Sequence, residues 1–121
     1  MTRPNISTEL IYKVVPASLW REAEETGFFN GAPTDLADGF IHFSTAGQVR
    51  ETAQKYFAGQ NGLILIAADK DILGEALRFE PSRGGRLFPH LHATLALDAV
   101  VFAKPLPLLP DGRHDFTGLL D

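Results

Sequence analysis

The 121-residue chain has no cysteine, which excludes disulfides, thiolate metal sites and a cysteine nucleophile. It also lacks an excess of positive charge. Its 11 Lys and Arg stand against 15 Asp and Glu, for a formal net charge of −4. Extended nucleic-acid binding wants a basic face, so that class is set aside. A local basic cluster of Arg78, Arg83 and Arg86 still suits a small phosphate-bearing ligand. No apolar run approaches a membrane span, and Met1-Thr2-Arg3-Pro4-Asn5 lacks the apolar core of a signal peptide. A cytoplasmic protein without membrane association is therefore expected. Repeats, low-complexity tracts and linkers are absent too. With 45% hydrophobic and 21% charged residues, one domain over the whole chain is expected, its ordered core running from about residue 9 to about residue 116.

The richest stretch is Asp38-Gly39-Phe40-Ile41-His42-Phe43-Ser44-Thr45. As a short strand it places Phe40, His42 and Ser44 on one face and Ile41 and Phe43 on the other. Thr45-Ala46-Gly47-Gln48 then matches a capping box, and a helix from about Ala46 to Ala58 would bury Val49, Ala53, Tyr56 and Phe57. A helix N-terminus beside a His/Ser pair attracts anions. Ser44 and Thr45 are explained by capping alone. His42 reads either as a hydrogen-bonded core histidine or as a cleft ligand or general base.

Around this run, Leu10 to Val15 reads as a first strand stopped by Pro16, with Lys13 the polar exception that must point outward or into a cleft. Ala17 to Thr26 reads as a helix ended by Gly27, and Phe28 to Asp38 as a loop. Leu63 to Ala68 is a continuous apolar run suited to a central strand. Asp69 to Glu75 suits a turn or helical turn. Leu77 to Glu80 alternates, so that Arg78 and Glu80 share one face while Leu77 and Phe79 pack inward. Ser82 to Arg86 reads as a flexible connection, Phe88 to His92 as a loop or irregular strand, and Ala99 to Lys104 as a last strand before Pro105, Pro107 and Pro110. Tyr12 and Trp20 are most simply core residues, and residues up to about Thr8 are expected to be mobile. Early helices and later strands favour an α+β fold with a mixed or antiparallel sheet and two main helices.

Two further groups carry chemistry. His90-x-His92 on an extended segment, with His42 or His114 added, could share a metal ion. Arg78 and Glu80 read either as a solvated face or as a guanidinium and carboxylate lining a cleft. No Gly-x-Ser-x-Gly elbow is present, and Ser82-Arg83-Gly84-Gly85-Arg86 lacks the Lys and Ser/Thr ending of a P-loop.

Ile11-Tyr12-Lys13-Val14, Gly39 to Thr45 and Leu87-Phe88-Pro89-His90, in this order and spacing, resemble the small bacterial proteins of domain-of-unknown-function family 952. That family is similar in fold to the ADP-ribosyltransferases and RNA 2′-phosphotransferases. The resemblance implies a split mixed sheet clasping a cleft, with an NAD-like or nucleotide-like ligand near the first two strands. His42 and Ser44 would face it, the serine near a nicotinamide ribose. Lys13 stands where transferases place a histidine or arginine on the adenosine ribose, and Glu80 is the nearest candidate by chain order for their catalytic glutamate. His92 stands where the family commonly has tyrosine. The implied catalytic set is His42, Glu80 and His90, and the implied ligand-binding set is Lys13, Ser44, Thr45, Arg78, Arg83, Arg86 and His92. Asp38 to Thr45 would form one cleft wall and Phe88 to His92 the opposite one. Two other readings stand beside this: a non-catalytic small-molecule or protein-interaction module with a degenerate cleft, and a histidine metal-binding protein.

Overall fold

The computed structural model describes residues 9–120; the stretch up to Thr8, expected from sequence to be mobile, lies outside them. Strand β1 (Leu10–Pro16) leads directly into helix α1 (Ala17–Thr26), which ends at Gly27 with φ 90°, a left-handed backbone that glycine adopts without steric cost. The segment expected as a loop carries β2 (Phe28–Phe29) and helix α2 (Pro33–Asp38). Pro33 opens α2 and Gly39, at φ 87°, closes it. Strand β3 (Ile41–His42) is shorter than the expected run. Helix α3 (Val49–Phe57) begins three residues later than its sequence pattern suggests. Gln48 Oε1 accepts the Thr45 backbone N–H at 3.0 Å, the reciprocal half of a capping box. Val49 and Ala53 are buried in α3, but Tyr56, expected on the same buried face, is exposed.

Strand β4 (Leu63–Asp69) is followed by the short helix α4 (Lys70–Leu73) and a 3₁₀ turn, then β5 (Leu77–Pro81). A 3₁₀ turn at Arg83–Gly85 joins β5 to β6 (Leu87–Leu91), so the Phe88 to His92 stretch is largely a regular strand. Strands β7 (Leu95–Ala96) and β8 (Val100–Leu106) complete the set.

Every strand pair among the described residues is antiparallel, in sheets ordered β1-β4-β8, β3-β6-β5 and β2-β7. The apolar run Leu63–Ala68 is the centre of the first sheet because both of its faces are covered. On one side Ile11, Val15, Ile66 and Ala68 pack with Trp20 and Ala23 of α1 and with Ile41, Phe43 and Leu91 of the second sheet. On the other, Tyr12, Val14, Leu65 and Ala67 pack with Val49 and Ala53 of α3 and with Leu106 and Phe116. Reciprocal backbone bonds between Tyr12 and Ser44, at 2.7 and 2.8 Å, fasten the second sheet to β1. The sheet is thus split, and a hollow opens beside that junction. Phe79, expected to pack inward, is exposed on the edge strand β5.

Candidate functional site

Alternation along β1 puts Lys13 on the same side as Ile11 and Val15, inside the fold and only 8% exposed. A buried ammonium must be paired, and its partner comes from α2. Lys13 Nζ lies 3.0 Å from Asp35 Oδ2 and donates to the His42 carbonyl at 2.8 Å. Burial pushes the Lys13 pKa down, and Asp35 opposes that shift by its charge and hydrogen bond.

Asp35 is the third residue of α2, and its carboxylate reaches back to the Ala32 N–H at 2.8 Å. It also accepts the His42 backbone N–H at 3.0 Å and the His42 Nδ1 at 2.6 Å. Burial works to raise its pKa, but the His42 hydrogen bond, the Lys13 charge and the two backbone donors together outweigh it and bring the value to about 2. Gly31 permits this closeness: at φ +126° its backbone passes so near that an added Cβ would stand 2.8 Å from the Asp35 Cβ.

His42 Nε2 is 2.9 Å from Asp38 Oδ2, so the ring lies between two carboxylates. Both nitrogens can donate only in the imidazolium form. Its position answers the two sequence readings jointly: it is hydrogen-bonded within the fold and it borders the cavity.

His42 and His90 are direct cross-strand partners in the β3–β6 pairing, which puts Phe40, His42, His90 and His92 on one face. Phe40 stacks on His90 at 4.2 Å between ring centroids. The two segments expected to form opposite walls are therefore adjacent strands of one wall. The facing side comes from β1, α2 and α3, through Lys13, Asp35, Thr52 and Tyr56.

Glu80, on the neighbouring strand β5, holds His90. Its Oε1 accepts from His90 Nδ1 at 2.8 Å and from His92 Nε2 at 2.9 Å. The hydrogen bonds from His92 and then His90 lower the Glu80 pKa. With Nδ1–H given to Glu80, the second nitrogen of His90, Nε2, is buried with no hydrogen-bond partner among the described residues. His90 is 3% exposed, its side chain lines the cavity, and this nitrogen has no donor facing it.

The cavity measures about 600 Å³. Of the residues singled out from sequence, Lys13, His42, Ser44, Arg83 and His90 line it, while Glu80 and His92 lie behind His90. Ser44 caps nothing; its Oγ shares a 2.8 Å hydrogen bond with Thr52 Oγ1. Thr45, Arg78 and Arg86 do not border the cavity. Thr45 is occupied in the α3 turn. Arg78 projects into solvent from β5, and Arg86 is paired with Glu51 at 2.7 Å. His114 sits elsewhere, donating to the Gln60 carbonyl at 2.8 Å. No group of three or more His, Asp or Glu among the described residues is placed to hold a metal ion.

Sequence reading missed Asp35, Thr52 and Tyr56 at the cavity, and named Asp38 only as part of the Asp38 to Thr45 wall. Pro33, Asp35 and Gly39 carry a usable signal for α2 (proline at the first position, an acid at the third, glycine after the end). Thr52 and Tyr56 carry none, because only the tertiary placement of α3 brings them to the hollow.

These elements define an α+β protein with split antiparallel sheets and a histidine-lined cavity at the split. The chain belongs to the family described as protein of unknown function (DUF952), whose profile matches residues 14–103. It is similar to protein CC0527 from Caulobacter crescentus. The crystal structure of that protein is 44% identical, covers 92% of this chain and 97% of its own, and superposes with a TM-score of 0.88. A crystal structure of a double mutant of CC0527 gives 43% identity, coverage of 92% and 97%, and a TM-score of 0.87. The solution structure of CC0527 gives 45% identity, coverage of 88% and 92%, and a TM-score of 0.81. No curated protein matches the sequence. No helix among the described residues is long and apolar enough to cross a membrane.

Proposed function

We propose that the cavity binds a nucleotide-like ligand of the ADP-ribosyl class and that His90 Nε2 accepts a proton from a hydroxyl placed against it. The observation that carries this reading is the buried, unpartnered Nε2 of a cavity-lining histidine whose Nδ1 is held by Glu80. An orphan acceptor at such a position is costly unless something supplies its donor. The cavity volume lies within the ordinary range for small-molecule sites. The split-sheet resemblance to ADP-ribosyltransferases supplies the ligand class.

In its enzymatic form NAD is the substrate. The bond between nicotinamide nitrogen and ribose breaks, nicotinamide leaves, and the ribosyl carbon bonds to an acceptor oxygen whose proton passes to His90 Nε2. Glu80 stabilises the charged ring that results. Titration of isotope-labelled protein with NAD, ADP-ribose and AMP, followed by NMR, tests the ligand class. Shifts at Phe40–Thr45 and Phe88–His92 are expected, and their absence would sink the reading.

A second reading is favoured by one observation: Lys13, Asp35 and His42 satisfy one another as a closed polar cluster. On that view the cleft belongs to a non-catalytic binding module. His42→Ala and His90→Ala would then lower stability without abolishing any ligand-dependent turnover.

A further inference from the structure

Beside His90, the ionisable side chains Lys13, Asp35, Asp38, His42 and Arg83 border the cavity, and the first four contact one another: Lys13 with Asp35, and His42 with Asp35 and Asp38. The fifth is Arg83, which has no carboxylate within ion-pair distance among the described residues. Glu51, the carboxylate on the nearby face of α3, is taken by Arg86 at 2.7 Å. The Arg83 Nε is buried and without a hydrogen-bond partner.

A closed turn and two aromatic rings position it. The turn that carries it is closed by Gly85 N–H donating to the Ser82 carbonyl at 2.8 Å and Ser82 N–H to the Arg86 carbonyl at 2.9 Å. Gly84 and Gly85 allow that turn with φ of 69° and 77°. The guanidinium carbon lies 4.8 Å from the Phe88 ring centroid and 5.6 Å from that of Tyr56. Ring faces hold the cation in place but do not use its N–H edge. Only a long 3.4 Å bond from Nη2 to Thr52 Oγ1 touches that edge. The Thr52 hydroxyl is itself engaged, by Ser44 Oγ at 2.8 Å and by the Gln48 carbonyl at 3.1 Å, so the cation gains little from it.

We propose that Arg83, beside Thr52, forms an anion subsite that takes a phosphate group of the cavity's ligand. The unpaired guanidinium edge supplies the N–H donors that phosphate oxygens accept. The inference rests on the nucleotide-like reading of the cavity and names the handle by which such a ligand is held.

The test is NMR titration of the full chain with inorganic pyrophosphate, with acetate and adenosine as separate arms. Pyrophosphate should shift the amides of Ser82–Arg86 and Thr52. Arg83→Gln should weaken that binding by about tenfold or more, Arg83→Lys should weaken it less, and Arg21→Gln, on the exposed face of α1, should leave it unchanged. Dispersed amide spectra of each variant establish that it is folded. Equal affinity of wild type and Arg83→Gln overturns the subsite, as does no response to pyrophosphate. Acetate binding as tightly as pyrophosphate overturns the phosphate assignment. Pyrophosphate binding at Arg83 with no response to adenosine, AMP or ADP-ribose supports the subsite while removing the nucleotide reading. ADP-ribose shifting Phe40–Thr45 with no pyrophosphate response removes the subsite alone.

Discussion

Asp35 ties three parts of the molecule together, because its two oxygens receive the Lys13 ammonium, the His42 ring and two backbone N–H groups. Removing its charge leaves Lys13 buried and uncompensated, so Asp35→Asn is expected to cost roughly 3 kcal/mol in urea unfolding at neutral pH. The acid limb follows from the same contacts. The folded carboxyl sits at about 2 against an ordinary value of 3.8. Its depressed pKa contributes about 2 kcal/mol that is fully present above the ordinary value and is lost as the pH falls through the folded one. Wild type should therefore lose that stability between pH 3.8 and about 2, and Asp35→Asn should show a flatter profile over the same range. At this scale sequence left Lys13 either outward or in a cleft; the structure turns it inward, and His42, Ser44 and His90, singled out from sequence, border the hollow. It could not show that His42 is committed to two carboxylates while His90 keeps a free nitrogen, because ring partners depend on which strands become neighbours.

The elements differ in how visible they are. β1, α1 and β4 follow their sequence patterns almost residue for residue, since each is long enough to show its period. The six-residue α2 is not; its periodicity never develops, and its proline, aspartate and glycines read as loop signals. β6 was obscured by Pro89, which has no N–H to give to a sheet. Its carbonyl still accepts the Phe43 N–H at 2.9 Å, and pairing with β5 runs through it. The α2 entry makes a direct test. Gly27→Ala, at φ +90° with open space around it, should cost about 1 kcal/mol. Gly31→Ala meets the Asp35 Cβ at 2.8 Å as well as the wrong backbone region, so it should cost clearly more in the same denaturant measurement. Equal costs would show that the close packing of α2 on Gly31 is not needed.

For the molecule as a whole, the α+β class was legible from the order of helical and strand patterns, and family 952 from three short motifs. The arrangement of the walls was not. Pairing of β3 with β6 puts both histidine segments on one wall, and α2 with α3 supplies the other. No local pattern encodes that a six-residue helix and the Thr52–Tyr56 face of α3 close over the same hollow. The cavity's central feature is the His90 ring, fastened by Glu80 at Nδ1 and unpartnered at Nε2. Long-range proton–nitrogen correlation of the histidine side chains near neutral pH, with and without ADP-ribose, reads both nitrogens directly. The expected result is a His90 proton on Nδ1, an unprotonated Nε2, and an Nε2 resonance that moves when ADP-ribose is added. A proton on Nε2, or an Nε2 signal that ADP-ribose leaves unmoved, would contradict the account.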